Sequence, residues 1–181
     1  PSAPSTAKVT IRSVRQKNAV IANIVEAMGS RRQFVVLGHH SPDDDCIASM
    51  ISFALLARKF SAEAAVYFGT QPHEHFRYLL DIARYNSIRL LDPSSPLPEG
   101  IDAVVVCDTP KPSMIDASPA LRQALEDRAV VRIEVDHHIG GDSGYFGDEG
   151  YRLVTEASSA SELVGHVMLK LENRHDLLER F

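Results

Sequence analysis

Nine acids and histidines crowd into three short stretches of this 181-residue chain: His39, His40, Asp43, Asp44 and Asp45; then Asp108; then Asp136, His137 and His138. None of the three clusters contains a lysine or arginine. Carboxylates and imidazoles gathered in this way repel one another or lose hydration unless a cation neutralises them, so a metal centre is the chemistry they point to. Mixed imidazole and carboxylate ligation suits manganese, zinc or iron better than calcium.

Each cluster follows an aliphatic run, in VVLGHHSPDDD at 35 to 45, VVVCDTP at 104 to 110 and VVRIEVDHH at 130 to 138. If the runs are neighbouring parallel strands, their polar ends share one sheet edge, where open α/β folds place their ligands. In His39-x-x-Pro42-Asp43-x-Asp45 a strand end supplies an imidazole and the next turn two carboxylates, one for each of two adjacent divalent ions. Asp108 by itself reads as a turn former before Thr109-Pro110, and between two metals as a bridging ligand. Asp136, His137 and His138 directly after an aliphatic strand are costly to bury without partners. A purely structural account of Ser41-Pro42-Asp43-Asp44-Asp45 also exists, with Ser41 as N-cap, Pro42 at the first helical position and acids offsetting the helix dipole, but it leaves His39 and His40 unexplained.

The elements that must hold these residues follow from periodicity and punctuation. Val14, Ile21, Ile24, Val25 and Met28 recur at helical spacing, which predicts a helix over 13–28 stopped by Gly29. Strands are expected at 34–37, 64–68, 88–91, 103–107 and 129–135, with a β excursion near 151–154; helices are expected at 42–60, 72–85, 118–127 and 158–172. Strands alternating with helices argue an α/β fold with a doubly wound, mostly parallel sheet and helices on both faces. The opening PSAPSTAK makes residues 1–12 a flexible leader or linker, and 13–181 one domain with a substantial core.

Composition narrows the function. Net charge is −5, from 19 basic and 24 acidic residues, which gives no field for gripping duplex nucleic acid. Cys46 and Cys107 form no spacing motif, no apolar stretch is long enough to span a bilayer, and the N-terminus lacks a secretory layout, so a cytoplasmic protein without a membrane partner is expected. His73 and His75 at a helix start read as surface residues, His166 and His175 as ordinary helix residues, and Ser158 or Ser159 as an N-cap with Glu162 at capping-box spacing. Arg31 and Arg32 lie at the wrong end of their strand to meet a phosphate at the site.

Taken together, the three clusters resemble the motifs of the DHH phosphoesterase superfamily. His39-x-x-Pro42-Asp43-x-Asp45 is similar to its first motif, Asp108 to its second, Asp136-His137-His138 to its third, and Ala157-Ser158-Ser159-Ala160-Ser161-Glu162 to the segment opening the next helix. The resemblance, over residues 33 to 170, implies one metal held by His39, Asp43 and Asp108 and a second by Asp45, Asp108 and His137. It leaves His138 for the substrate phosphate or leaving group and Asp136 to orient its neighbours from behind the ligands. His40 and Asp44 fall at positions that are not ligands, and Asp44 stands where a small residue is usual.

The implied activity is a manganese-dependent phosphohydrolase with two Mn2+ ions, Mg2+, Co2+ or Zn2+ being alternatives. Its substrate would be a small phosphorylated molecule or short oligonucleotide; the superfamily's substrates include short oligoribonucleotides, 3′-phosphoadenosine 5′-phosphate, cyclic dinucleotides, single-stranded DNA, polyphosphate and pyrophosphate. A homodimer is compatible with this reading. The family's fourth-motif aspartate and its C-terminal substrate domain find no counterpart before Phe181, since Asp142, Asp148 and Asp176 do not follow aliphatic strands. A truncated domain with weak second-metal binding and poor turnover is therefore expected. The contrasting function is a non-catalytic nucleotide- or metal-binding regulatory module on the same fold.

Overall fold

In a computed structural model that describes residues 7–140 and 142–172, the strand β4 (Ala103–Cys107) is buried at every position, which requires cover on both faces and a neighbour on each side. One neighbour is β1 (Gln33–Leu37) and the other β5 (Val131–Asp136). Beyond β1 lie β2 (Glu63–Tyr67) and β3 (Arg89–Leu91), and beyond β5 lies β6 (Arg152–Val154). Every pairing among these six strands is parallel, in the order β3-β2-β1-β4-β5-β6.

Alternation along the strands divides the core. Phe34, Val36, Val105, Ile133 and Val135 face the larger cluster, under α1 (Val14–Ser30), α2 (Asp44–Lys59), α3 (Arg77–Tyr85) and α5 (Ala160–Glu172). Val35, Leu37, Val104 and Val106 face the smaller one, closed by Leu121 of α4 (Pro119–Glu126) and by connecting loops. The expected doubly wound sheet with helices on both faces is thus present, with unequal cover. α2 is the central helix: Ile47, Phe53 and Ala54 are wholly buried, and a side chain such as Phe53 contributes on the order of 1.5–3 kcal/mol by leaving water. Among the described residues no helix is long and apolar enough to cross a membrane.

Three boundaries depart from expectation for physical reasons. α2 starts at Asp44 because Asp43, not Ser41, is its N-cap, accepting from the Cys46 N–H at 3.0 Å. The helix expected from 72 starts at Arg77, after a tight 3-10 turn over Glu74–Phe76 capped by His73. Of the expected leader, residues 1–6 lie outside the described residues, whereas 7–12 lie against the domain. There Lys8 bridges Gly140, and the Ile11 N–H donates to the Val154 carbonyl at 3.2 Å.

The strand order sets where a ligand can sit. β1 leads outward to β2 and β3, whereas β4 leads the other way to β5 and β6, so the crevice opens at the carboxyl ends of β1 and β4. Gly38 leaves β1 there against the start of α2, and a Cβ on it would stand 2.2 Å from Cys46 Sγ and 3.2 Å from the Cys107 carbonyl oxygen. Gly38→Ala is expected to destabilise the fold by about 1–3 kcal/mol through overpacking. Urea unfolding of the two proteins checks this, and an unchanged midpoint would refute the tight approach.

Candidate metal centre

β1 runs out into His39, β4 into Asp108, and β5 through Asp136 into His137 and His138. His39, Asp43, Asp45, Asp108, His137 and His138 line one pocket of about 470 Å3 with Pro110, Met114 and Ser158. Of the residues given a role at the site, Asp136 alone lies behind the pocket wall.

Asp108 is at the centre. It is 2% exposed, and its φ of +48° puts a non-glycine residue in the left-handed region, at a cost of order 1–3 kcal/mol. Its N–H continues the sheet by donating to Val135 at 2.9 Å, so the unusual backbone turns the carboxylate into the crevice without ending the ladder early. Oδ2 lies 3.9 Å from His39 Nε2, while Oδ1 lies 3.2 Å from His137 Nε2 and 3.5 Å from His138 Nδ1. The two oxygens thus face different imidazoles.

Electrostatics oppose this arrangement. Burial first, then the nearby Asp45 and Asp43 carboxylates, push the Asp108 carboxyl up to about 6, with His138 and His137 pulling the other way. Desolvation also lowers the pKa of His39, against an opposing pull from Asp43, which favours the neutral imidazole that a metal requires. Burial drives the Cys46 and Cys107 thiols well above their usual range. Cys46, though close to His39 and Asp108, is therefore a packing thiol rather than a thiolate ligand.

The remaining groups are held by backbone. Asp43 caps α2 with Oδ1. Asp45 caps α5, accepting from the Ala160 N–H at 2.7 Å with Oδ2 and from the Ser161 N–H at 2.9 Å with Oδ1. His137 Nδ1 lies 3.3 Å from the Ala157 carbonyl oxygen; a carbonyl only accepts, so Nδ1 carries the proton and Nε2 is left as a lone pair toward Asp108 and Asp45. His138 Nδ1 is 2.8 Å from Asp136 Oδ1.

His40 and Asp44 point elsewhere, His40 toward the Met114 carbonyl oxygen and Asp44 to the Tyr78 hydroxyl. His73 and His75 pair with each other on the surface. Asp142 meets Lys111 and Asp148 meets Arg132, while Asp176 lies outside the described residues. The Ser159 hydroxyl accepts from the Glu162 N–H, and Glu162 returns its carboxylate one residue earlier than a capping box would, to Ser158.

Two features escaped the sequence. The Asp45 cap on α5 joins residues 115 positions apart, which local pattern does not reveal. Lys8, from the expected leader, is wholly buried against Glu134 and Asp136; the acid inside the aliphatic run of β5 was the one signal that a cation should arrive there.

The donor set fits divalent cations. Asp108 Oδ1 and His39 Nδ1 are buried without a hydrogen-bond partner, an arrangement that costs on the order of 1–3 kcal/mol per group unless something else engages it. Asp108, His137 and His138 present ligand atoms within 4.8 Å of one another.

Residues 33–180 match the sequence profile described as the DHH family, N-terminal domain. A probable manganese-dependent inorganic pyrophosphatase of Streptococcus thermophilus is 33% identical over 106 residues, covering 57% of this chain and 30% of its own length. A protein of the same description from Streptococcus agalactiae is 31% identical over 110 residues, covering 59% and 32%. The chain spans about a third of the length of these curated relatives. In three dimensions, the crystal structure of an exopolyphosphatase-related protein from Bacteroides fragilis aligns with a TM-score of 0.57 at 19% identity, over 85% of this chain and 44% of that one. The likeness is one of fold.

The raised Asp108 carboxyl makes the metal-free fold sensitive to pH. Its folded value of about 6 exceeds the unfolded 3.8, so the stability it contributes is present below about pH 4 and lost as pH rises through about 6. Asp108→Asn, neutral throughout, should match the parent near pH 4 and exceed it by about 3 kcal/mol above pH 7, at 1.4 kcal/mol per unit. Denaturant unfolding in chelator at both pH values measures this; equal stabilities at high pH would contradict the strained carboxylate.

Proposed function

Because this chain belongs to the DHH family, we propose that it is the catalytic domain of a manganese-dependent phosphohydrolase that cleaves a phosphoanhydride or phosphoester bond in a small phosphorylated substrate. The observation that carries the proposal is the lining of the pocket: three carboxylates and three imidazoles with no lysine or arginine among them. An anionic phosphate is repelled by such a surface unless the carboxylates are already occupied by cations.

His39, Asp43 and Asp108 would hold one ion and Asp45, Asp108 and His137 the other, with Asp108 between them. Bound divalent cations would supply Lewis-acid polarisation of the phosphoryl oxygens and an acidified water for in-line attack. The protein's own contribution is orientation. Asp43 and Asp45 are held by the helices they cap, and His137 keeps its Nε2 free by donating from Nδ1 to Ala157. His138, with Nδ1 on Asp136, is left with Nε2 to meet the phosphate or to give a proton to the leaving oxygen.

The curated relatives' names favour pyrophosphate as the substrate. They also extend well beyond the matched part, so recognition of the rest of the substrate is assigned, in the same proposal, to a further domain of the natural protein. The test is phosphate release by the full natural protein with Mn2+, on a panel of pyrophosphate, tripolyphosphate, a short oligoribonucleotide and a nucleotide monoester. Asp108→Ala should lower kcat/KM on the preferred substrate by about a thousandfold or more, the loss of a central electrostatic element. No release on any member, with tight nucleotide binding instead, would favour the regulatory module.

A further inference from the structure

Lys8 is the only buried lysine or arginine among the described residues. Three oxygens surround its Nζ: Thr109 O and Asp136 Oδ2, each accepting a hydrogen bond at 2.5 Å, and Glu134 Oε1, an ion-pair neighbour at 2.7 Å outside hydrogen-bond geometry. The segment is anchored around it, Lys8 N–H donating to Ser143 Oγ at 3.1 Å and Lys8 O accepting from the Gly140 N–H at 3.1 Å. Glu134 is fixed by its other oxygen, which accepts from the Phe146 and Gly147 N–H groups at 3.1 and 3.0 Å.

Glu134 is one buried carboxylate beside the ammonium, balancing its charge without taking a hydrogen bond from it. Asp136 is a second, and it divides its oxygens, Oδ2 to Lys8 and Oδ1 to His138 Nδ1 at 2.8 Å. Ion pairing by Lys8 keeps Asp136 an acceptor on both sides, so His138 must donate from Nδ1 and carry its lone pair or second proton on Nε2. The backbone contact to Thr109 ties the same ammonium to the turn that follows Asp108.

We propose that Lys8 is a positioning residue for the reaction: it clamps Asp136, which sets the ring of His138 toward the substrate, and so makes residues 7–12 part of the catalytic unit rather than a leader. The inference rests on the phosphohydrolase reading of the pocket. It predicts that charge balance alone does not replace Lys8.

The experiment is the double variant Lys8→Met/Glu134→Gln in the full natural protein. It removes one charge of each sign, so the net charge of the buried group is unchanged, and the amide oxygen introduced by Glu134→Gln can still accept from Phe146 and Gly147, leaving Asp136 as the group that loses its cation. With Mn2+ and the preferred phosphate substrate, kcat should fall about 10- to 100-fold, the usual scale for a group that orients a functional imidazole, with KM within about threefold. In its crystal structure the His138 ring should leave Asp136 or occupy more than one orientation.

A double variant with wild-type kcat, or with His138 still seated on Asp136, would overturn the proposal. If the double variant does not fold, Asp136→Asn decides. Its amide oxygen can satisfy Lys8 but then turns an N–H toward His138, so kcat should drop with KM and melting temperature little changed; an unchanged kcat overturns the clamp. If the wild-type protein hydrolyses nothing on the panel, the functional reading fails, while the His138 ring in the double variant still reports on Lys8.

Discussion

Negative charge concentrated at one sheet edge is the constraint around which this domain is organised. Asp108 is almost completely buried, has a left-handed backbone and faces two further carboxylates across the crevice. Each of these features opposes stability, and a buried carboxylate surrounded by others is held below full ionisation unless a cation arrives. The fold tolerates the cluster because the strands carrying it are among the best-packed elements: β4 and the covered part of β1 are apolar on both faces and flanked by parallel neighbours.

Helix starts supply the first part of the compensation. Asp43 sits at the beginning of α2 and Asp45 reaches across to the beginning of α5. Free N–H groups at a helix N-terminus amount to roughly half a positive charge, so two such ends offset part of the repulsion before any metal binds. They also fix both carboxylates while each oxygen keeps lone pairs unused. Carboxylates held this way would need less ordering to engage a cation than carboxylates on mobile loops.

Much of this was legible in the chain. The runs of β1, β4 and β5 are aliphatic and end abruptly in chemistry-bearing residues, so adjacency of their ends followed from parallel-strand logic, and the six acids and imidazoles expected to meet do line one pocket. Local punctuation was less dependable. Ser41 and Asp43 are both good caps, and it is Asp43 that accepts from the Cys46 N–H. Lys8 was not legible, because its partner Asp136 is 128 positions away and the residues around it are small and polar. The clue lay on the other side, in Glu134: a charged residue in the middle of a covered strand requires a buried partner.

The period of two along β5 explains how one tripeptide performs different tasks. Ile133 and Val135 face the larger core, so Glu134 and Asp136 must face the opposite side. One step past the strand end, the same alternation sends His137 toward α5, where it meets Ala157, Asp45 and Asp108, and returns His138 to the side of Asp136. Glu134, Asp136 and His138 therefore form a column at i, i+2 and i+4, with Lys8 inserted between its first two members. Had the register slipped by one residue, the histidine beside Asp108 and the histidine above Asp136 would exchange places, and the buried acids would fall into the apolar core. The aliphatic residues that set the register of β5 thereby determine which imidazole faces Asp45 and Asp108 and which is seated on Asp136.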